Sequence, residues 1–140
     1  MLANSLTNFS KTLSCNGKIV LVQKPVVMGI LNITPDSFYE NSRVGDDKKY
    51  LSVAEKMIQD GAAIIDIGGQ STRPNAELIS VDDELKRVLP VVKNIQKHFP
   101  DVLISVDTFY SKVAQATIDC GANIINDISG GSMDTNMFAT

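Results

Sequence analysis

Three features of the sequence predict a parallel α/β architecture. Short apolar runs rich in Ile and Val recur, each bounded by Gly, Pro or polar turn residues. Segments with apolar residues at helical spacing alternate with them. Two of those segments stop at a glycine, Gly61 and Gly121, and lead at once into the next apolar run. Strand followed by helix, repeated, requires a parallel sheet with right-handed crossovers.

The composition suits that class. The chain's 140 residues are enough for one domain and one core. Hydrophobic residues make up 44% and charged residues 21%, which is ordinary for a soluble globular protein. A formal net charge of -3 offers no basic surface for nucleic acid. No apolar run approaches the roughly 20 residues that span a bilayer. The first residues lack the basic start and apolar middle of a signal peptide. With Cys15 and Cys120 the only cysteines, a reducing cytoplasm is expected and a disulfide framework is not. His98, the single histidine, is expected to end a helix beside Phe99-Pro100 rather than to bind a metal.

Residues 1–25 are expected to form a loose lead-in and a hairpin. Lys11 to Leu13 and Lys18 to Val22 are β-prone and flank Asn16-Gly17, a strong hairpin turn. The hairpin precedes the first core strand, so it should cap one end of the domain. Residues 26–140 then carry four strand–helix units. Val26 to Leu31 lies between Pro25 and the Thr34-Pro35-Asp36 turn and reads as a strand buried on both faces. Lys48 to Asp60 carries Leu51, Ala54, Met57 and Ile58 at helical spacing. Ile64 to Ile67 is a second strand. Ser80 then caps a helix with acidic residues in its first turn. That helix should run to about Phe99, with a possible kink at Pro90. Leu103 to Asp107, a helix over Lys112 to Cys120, and a strand over Ile124 to Asp127 complete the series. Gly61 to Asp66 and Gly121 to Asn126 echo one another, as any β/α repeat would.

Polar residues gather at the strand ends: Asn32, Asp66, Asp107 and the Asn126-Asp127 pair. In a parallel sheet those ends lie on one side, where α/β proteins bind ligands. By alternation Asn126 shares a face with Ile128, while Asp127 points the other way. Buried carboxylates and amides are costly without partners, so a cluster of them points to a polar ligand. One such residue alone could equally tether a loop. Asp accepts hydrogen bonds and Asn both donates and accepts, which suits a flat heterocycle with adjacent amino and ring N–H groups. Arg73, with Ser71 and Thr72 in a glycine-bearing loop, suits an anion such as phosphate, or else a surface salt bridge. Phe38 is either an aromatic lid or a hydrophobic plug.

Four blocks together resemble dihydropteroate synthase: Leu31 to Phe38, Asp66 to Pro74, Ser105 to Thr108, and Ile125 to Ile128. They cover almost all of the chain from about Val26. The resemblance implies a (β/α)8 TIM barrel, of which this stretch is the N-terminal half. It implies a folate-pathway transferase that condenses 6-hydroxymethyl-7,8-dihydropterin pyrophosphate with p-aminobenzoate. Sulfonamides would compete with p-aminobenzoate, Mg²⁺ would assist, and the full-length enzyme would be a cytoplasmic homodimer. By position, Asn32 is similar to a residue that helps hold Mg²⁺ and pyrophosphate. Asp107, Asn126 and Ile128 match pterin-pocket residues. Asp36, Ser37 and Phe38 match a first mobile loop, and Thr72, Arg73 and Pro74 a second. The resemblance assigns Asp36, Arg73 and Asp107 to the catalytic set.

The match has departures. Many relatives carry Glu where this chain has Gln70. The family's later Asp-Pro-Gly-Phe-Gly, Ser-Arg-Lys and Arg-x-His motifs do not occur in these 140 residues, so the stretch alone is expected to be inactive. A pterin-binding corrinoid methyltransferase barrel would lack the Ser71-Thr72-Arg73-Pro74 loop. A non-catalytic half-barrel would bind without turnover. The loops at about 34–47 and 70–79 are expected to be the most mobile parts of the chain.

Overall fold

The computed structural model describes residues 10–15, 17–33, 47–70 and 77–140. Lead-in residues 1–9 lie outside that set. β1 (Lys11–Cys15) and β2 (Lys18–Val22) form the expected antiparallel hairpin. Gly17 takes φ 72, which the tight turn needs and glycine tolerates. Cys15, Lys18 and Val20 line a shallow cleft shared with Pro100–Leu103, Gly121 and Asn123. The hairpin therefore caps the amino-terminal end of the sheet, opposite the polar strand ends.

The core sheet comprises β3 (Val27–Asn32), β4 (Ala62–Gly68), β5 (Leu103–Asp107) and β6 (Ile124–Asn126). All three pairings are parallel, and the spatial order follows the sequence, β3-β4-β5-β6. Among the described residues no strand reverses the order, as an open doubly wound sheet would require. Three helices follow the first three strands: α1 (Asp47–Gln59), α2 (Val81–His98) and α3 (Ser111–Asp119). Gly61 and Gly121, at φ 105 and 106, end the turns after α1 and α3 in a conformation that a side chain would strain.

Alternation gives the sheet two unlike faces. Leu31, Ile33, Ile65, Ile67, Ile104 and Val106 point to the helices and are fully buried. Glu84, Val88, Val91, Val92 and Ile95 form the matching stripe on α2. A Cβ on Gly29 would come within 2.8 Å of Met57 Sδ, so glycine there lets α1 approach β3 closely. Each fully buried aliphatic side chain contributes roughly 1.5–3 kcal/mol, and this layer is the main source of stability. The other face is only partly covered. Met28 and Ile30 remain 42% and 61% exposed. This corrects the expectation that β3 is buried on both sides: among the described residues nothing packs over its inner face.

Local signals decide the helix ends. Ser80 accepts the Asp83 N–H at 3.2 Å and donates its hydroxyl to Asp83 Oδ2 at 2.7 Å, a reciprocal cap. α2 runs unbroken through Pro90 as one helix. α3 takes its cap from a distance, since the Ser111 N–H donates to Asp134 Oδ2 at 2.8 Å. His98 is exposed at the end of α2, with Nδ1 2.8 Å from the Asn94 carbonyl, as expected of a helix-end residue.

Candidate functional site

The strand register aligns four residues across the carboxyl ends of the sheet. Asn32 pairs with Gly68, Gly68 with Asp107, and Asp107 with Asn126. By alternation all four share the inner face. Gly68 supplies the room between them: a Cβ there would lie 3.2 Å from Asn32 Oδ1 and 3.7 Å from Asp107 Oδ2. The absent side chain thus leaves a notch flanked by an amide oxygen and a carboxylate. Asp107 is part-buried. Burial raises its carboxyl above the ordinary value, and the carboxylates of Asp66 and Asp127 push the same way.

Asp66 sits one row deeper, in register with Ile30 and Ser105. This corrects its placement at a strand end, because β4 continues through Ile67 to Gly68. Asp66 is buried, and its Oδ2 accepts from Asn126 Nδ2 at 3.0 Å. That bond skips β5, so the inner face is concave enough for side chains two strands apart to meet. It also orients the Asn126 amide, leaving its carbonyl oxygen and second N–H for a ligand. Asp66 Oδ1 and Ser105 Oγ are buried with no hydrogen-bond partner among the described residues. Buried polar atoms of this kind are costly, and they line the floor beneath the notch.

Asp127 faces away, as alternation requires. Its carboxylate accepts the Ser129 and Gly131 N–H groups at 2.8 and 2.7 Å. It tethers the turn after β6. Ile128 stands at the rim of that turn, 81% exposed.

Asp36, Ser37 and Phe38, and Thr72, Arg73 and Pro74, lie outside the described residues. The ends of the second loop are described, and they are tied down. Gln70 is buried; its Nε2 donates to the Glu77 carbonyl and its Oε1 accepts from the Ile79 N–H, both at 3.0 Å. These two bonds join Gln70 to Glu77 and Ile79, at the two ends of the loop expected to be mobile. A glutamate here could accept from Ile79 but, ionised, could not donate to Glu77. The amide is thus a backbone clamp rather than a charge.

Glu84 and Thr108 went unassigned in the sequence. Glu84 lies in the first turn of α2, where an acidic residue reads as a solvated helix end. Instead it is 1% exposed, with Oε2 accepting from Thr108 Oγ1 at 3.2 Å. The available signal was its place on the apolar stripe, four residues before Val88. Burial pushes its carboxyl up to about 7. The Thr108 hydrogen bond and the Arg87 charge oppose that rise, and the Asp107 charge adds to it. The folded value exceeds the ordinary 4.5, so the protonated form favours the fold. Its contribution is complete below about pH 4.5 and is lost as pH rises through about 7. Glu84→Gln, which does not titrate, should flatten this trend. In urea melts at about pH 5 and about pH 8, the change in unfolding free energy should differ between the two proteins by on the order of 2–3 kcal/mol. Parallel pH trends would show that Glu84 ionises freely.

No cluster of His, Cys, Asp and Glu among the described residues could hold a metal unaided. A Mg²⁺ ion, which keeps several waters and binds through few protein groups plus phosphate oxygens, asks less of the protein. Asn32 Oδ1 beside the notch suits that limited role.

A parallel sheet in sequential strand order, with helices on one face and a polar row at its carboxyl ends, is the arrangement of half an α/β barrel. Residues 28–140 match the family described as pterin binding enzyme, and the chain belongs to that family. Within it, the similarity is to dihydropteroate synthases. The dihydropteroate synthase of Streptococcus pyogenes serotype M1 is 46% identical over 123 residues, covering 88% of this chain and 46% of the relative. Among solved structures, the dihydropteroate synthase of Xanthomonas albilineans with 4-aminobenzoic acid superposes with a TM-score of 0.81 at 36% identity. It covers 91% of this chain and 47% of that one. The Burkholderia cenocepacia dihydropteroate synthase complexed with 7,8-dihydropteroate gives 0.73 at 38% identity, covering 89% and 40%. The chain thus spans about half the length of these relatives.

Proposed function

We propose that this chain forms the pterin-binding side of a dihydropteroate synthase active site, joining dihydropterin pyrophosphate to p-aminobenzoate with release of pyrophosphate. The Asn32–Gly68–Asp107–Asn126 row carries the reading. A pterin presents an edge of amino and ring N–H donors. The Asp107 carboxylate and the Asn126 amide, held by Asp66, offer acceptors and a donor along one line. A carboxylate beside the pterin would also favour positive charge developing on its methylene as the leaving group departs. Arg73 would meet the leaving anion, and Asp36, Ser37 and Phe38, with Thr72 and Pro74, would enclose the p-aminobenzoate side. Mg²⁺, held in part by Asn32, would neutralise charge on the pyrophosphate. Sulfonamides are expected to compete at the p-aminobenzoate subsite, and the working enzyme is expected to be a cytoplasmic homodimer.

The test is an assay of the complete gene product with dihydropterin pyrophosphate, p-aminobenzoate and Mg²⁺. Formation of 7,8-dihydropteroate, inhibited by a sulfonamide competitively with p-aminobenzoate, is the expected result. Pterin binding by calorimetry without any condensation would reduce the site to a binding module.

A further inference from the structure

Behind the notch, on the helix side of the sheet, lies a group of side chains that the proposed reaction does not use. Glu84 is its centre. One carboxylate oxygen accepts from Thr108 Oγ1, and the other, Oε1, is buried without a partner among the described residues. Thr108 directly follows Asp107. Its N–H donates to the Asn126 carbonyl at 3.2 Å, and its Oγ1 accepts the Tyr110 N–H at 3.2 Å. The Tyr110 hydroxyl donates to the Ile79 carbonyl at 2.9 Å, next to the Gln70 clamp. On the other side, Glu84 lies against the turn that follows the notch. A Cβ on Gly69 would sit 3.1 Å from Glu84 Cγ and 2.8 Å from Val88 Cγ1. Arg87 completes the clasp by donating to the Gly69 carbonyl at 3.0 Å. One helix turn therefore touches the ends of both β4 and β5.

We propose that Glu84 is a positioning residue for the pterin subsite: its buried side chain, acting through Thr108, fixes Asp107 relative to the Gly68–Gly69 turn. Thr108 is the only residue between Asp107 and the loop into α3 that bonds both to α2 and to β6 among the described residues. Removing its hydroxyl leaves the peptide that carries Asp107 held by its strand neighbours alone, without the tie to α2. The groups facing Glu84 from the packed elements are Thr108 and Asp107 at the end of β5 and Arg87 on α2, with Gly69 and Val88 closing the rest. The partnerless oxygen matters here, because a neutral side chain of the same length satisfies the site as well as a carboxyl does. A shorter one cannot reach Thr108.

The inference rests on the pterin reading of Asp107, and the experiment separates the two. Thr108→Val, Glu84→Asp, Glu84→Gln and Asp107→Ala are made in the complete gene product. Dihydropterin pyrophosphate affinity is measured by calorimetry, and KM for each substrate by steady-state kinetics. Thr108→Val and Glu84→Asp should each weaken pterin binding about tenfold while leaving KM for p-aminobenzoate within about twofold. The double variant should be no worse than either single one, since both break the same link. Glu84→Gln should stay within about threefold of the parent, because it keeps an acceptor for Thr108. Thermal destabilisation with unchanged pterin affinity in Thr108→Val and Glu84→Asp would overturn the positioning role, as would equal losses for both substrates. If Asp107→Ala also binds pterin normally, the pterin reading itself fails.

Discussion

Produced alone, these 140 residues are expected to turn over at least about a thousandfold more slowly than a full-length relative, because groups that act as a unit fail together. The reason is physical as well as chemical. Among the described residues, β3 and β6 each present an open hydrogen-bonding edge in the sheet. Met28, Ile30 and Ile128 leave apolar surface exposed on or beside the inner face. Nothing in the stretch supplies a second pterin carboxylate or the lysine and arginine that the resemblance places in later motifs. The isolated chain should aggregate, pair through its edges, or require the C-terminal half of a full-length relative in trans. Dihydropteroate formation within about tenfold of a full-length enzyme would show that four strands hold the whole site.

In the complete gene product, Asp107→Ala is expected to cost about 1–3 kcal/mol of pterin affinity, since it strips the acceptor from buried N–H groups of the ligand. Asp107→Asn makes the sharper comparison. It preserves shape but places an N–H where the pterin also presents one, so its loss should be comparable. Binding near the parent's affinity in both variants, measured by calorimetry with intact folding, would remove Asp107 from the subsite.

The sequence carried most of this arrangement because buried parallel strands announce themselves as short Ile/Val runs. The residue that breaks such a run marks its carboxyl end. Asn32, Asp107 and Asn126 were legible for that reason, and the register then put them in one row. Asp66 was misplaced by the same reasoning. Gly68-Gly69 reads as a turn, yet β4 keeps its pairing through Gly68, which puts Asp66 one row down. Glu84 escaped because local helix chemistry explains an acid in the first turn without reference to the core. Its place on the apolar stripe of α2, four residues before Val88, was the one sign of burial in the sequence, and its partner Thr108 shows only in three dimensions. The resemblance supplied roles for Asp36, Arg73 and their neighbours that no residue pattern could assign, and those residues lie outside the described part.

The neighbour-to-neighbour order of the sheet also bears on how the chain is made. Each strand from β4 onward pairs with the strand synthesised just before it, joined through one intervening helix. Pairing can therefore keep pace with emergence from the ribosome, each new strand docking on an edge already formed, with no need to wait for a distant partner. Such vectorial growth leaves the advancing edge sticky at every stage, in addition to the outer edge of β3. The last strand laid down is the one a chaperone, or the next stretch of polypeptide, must cover first.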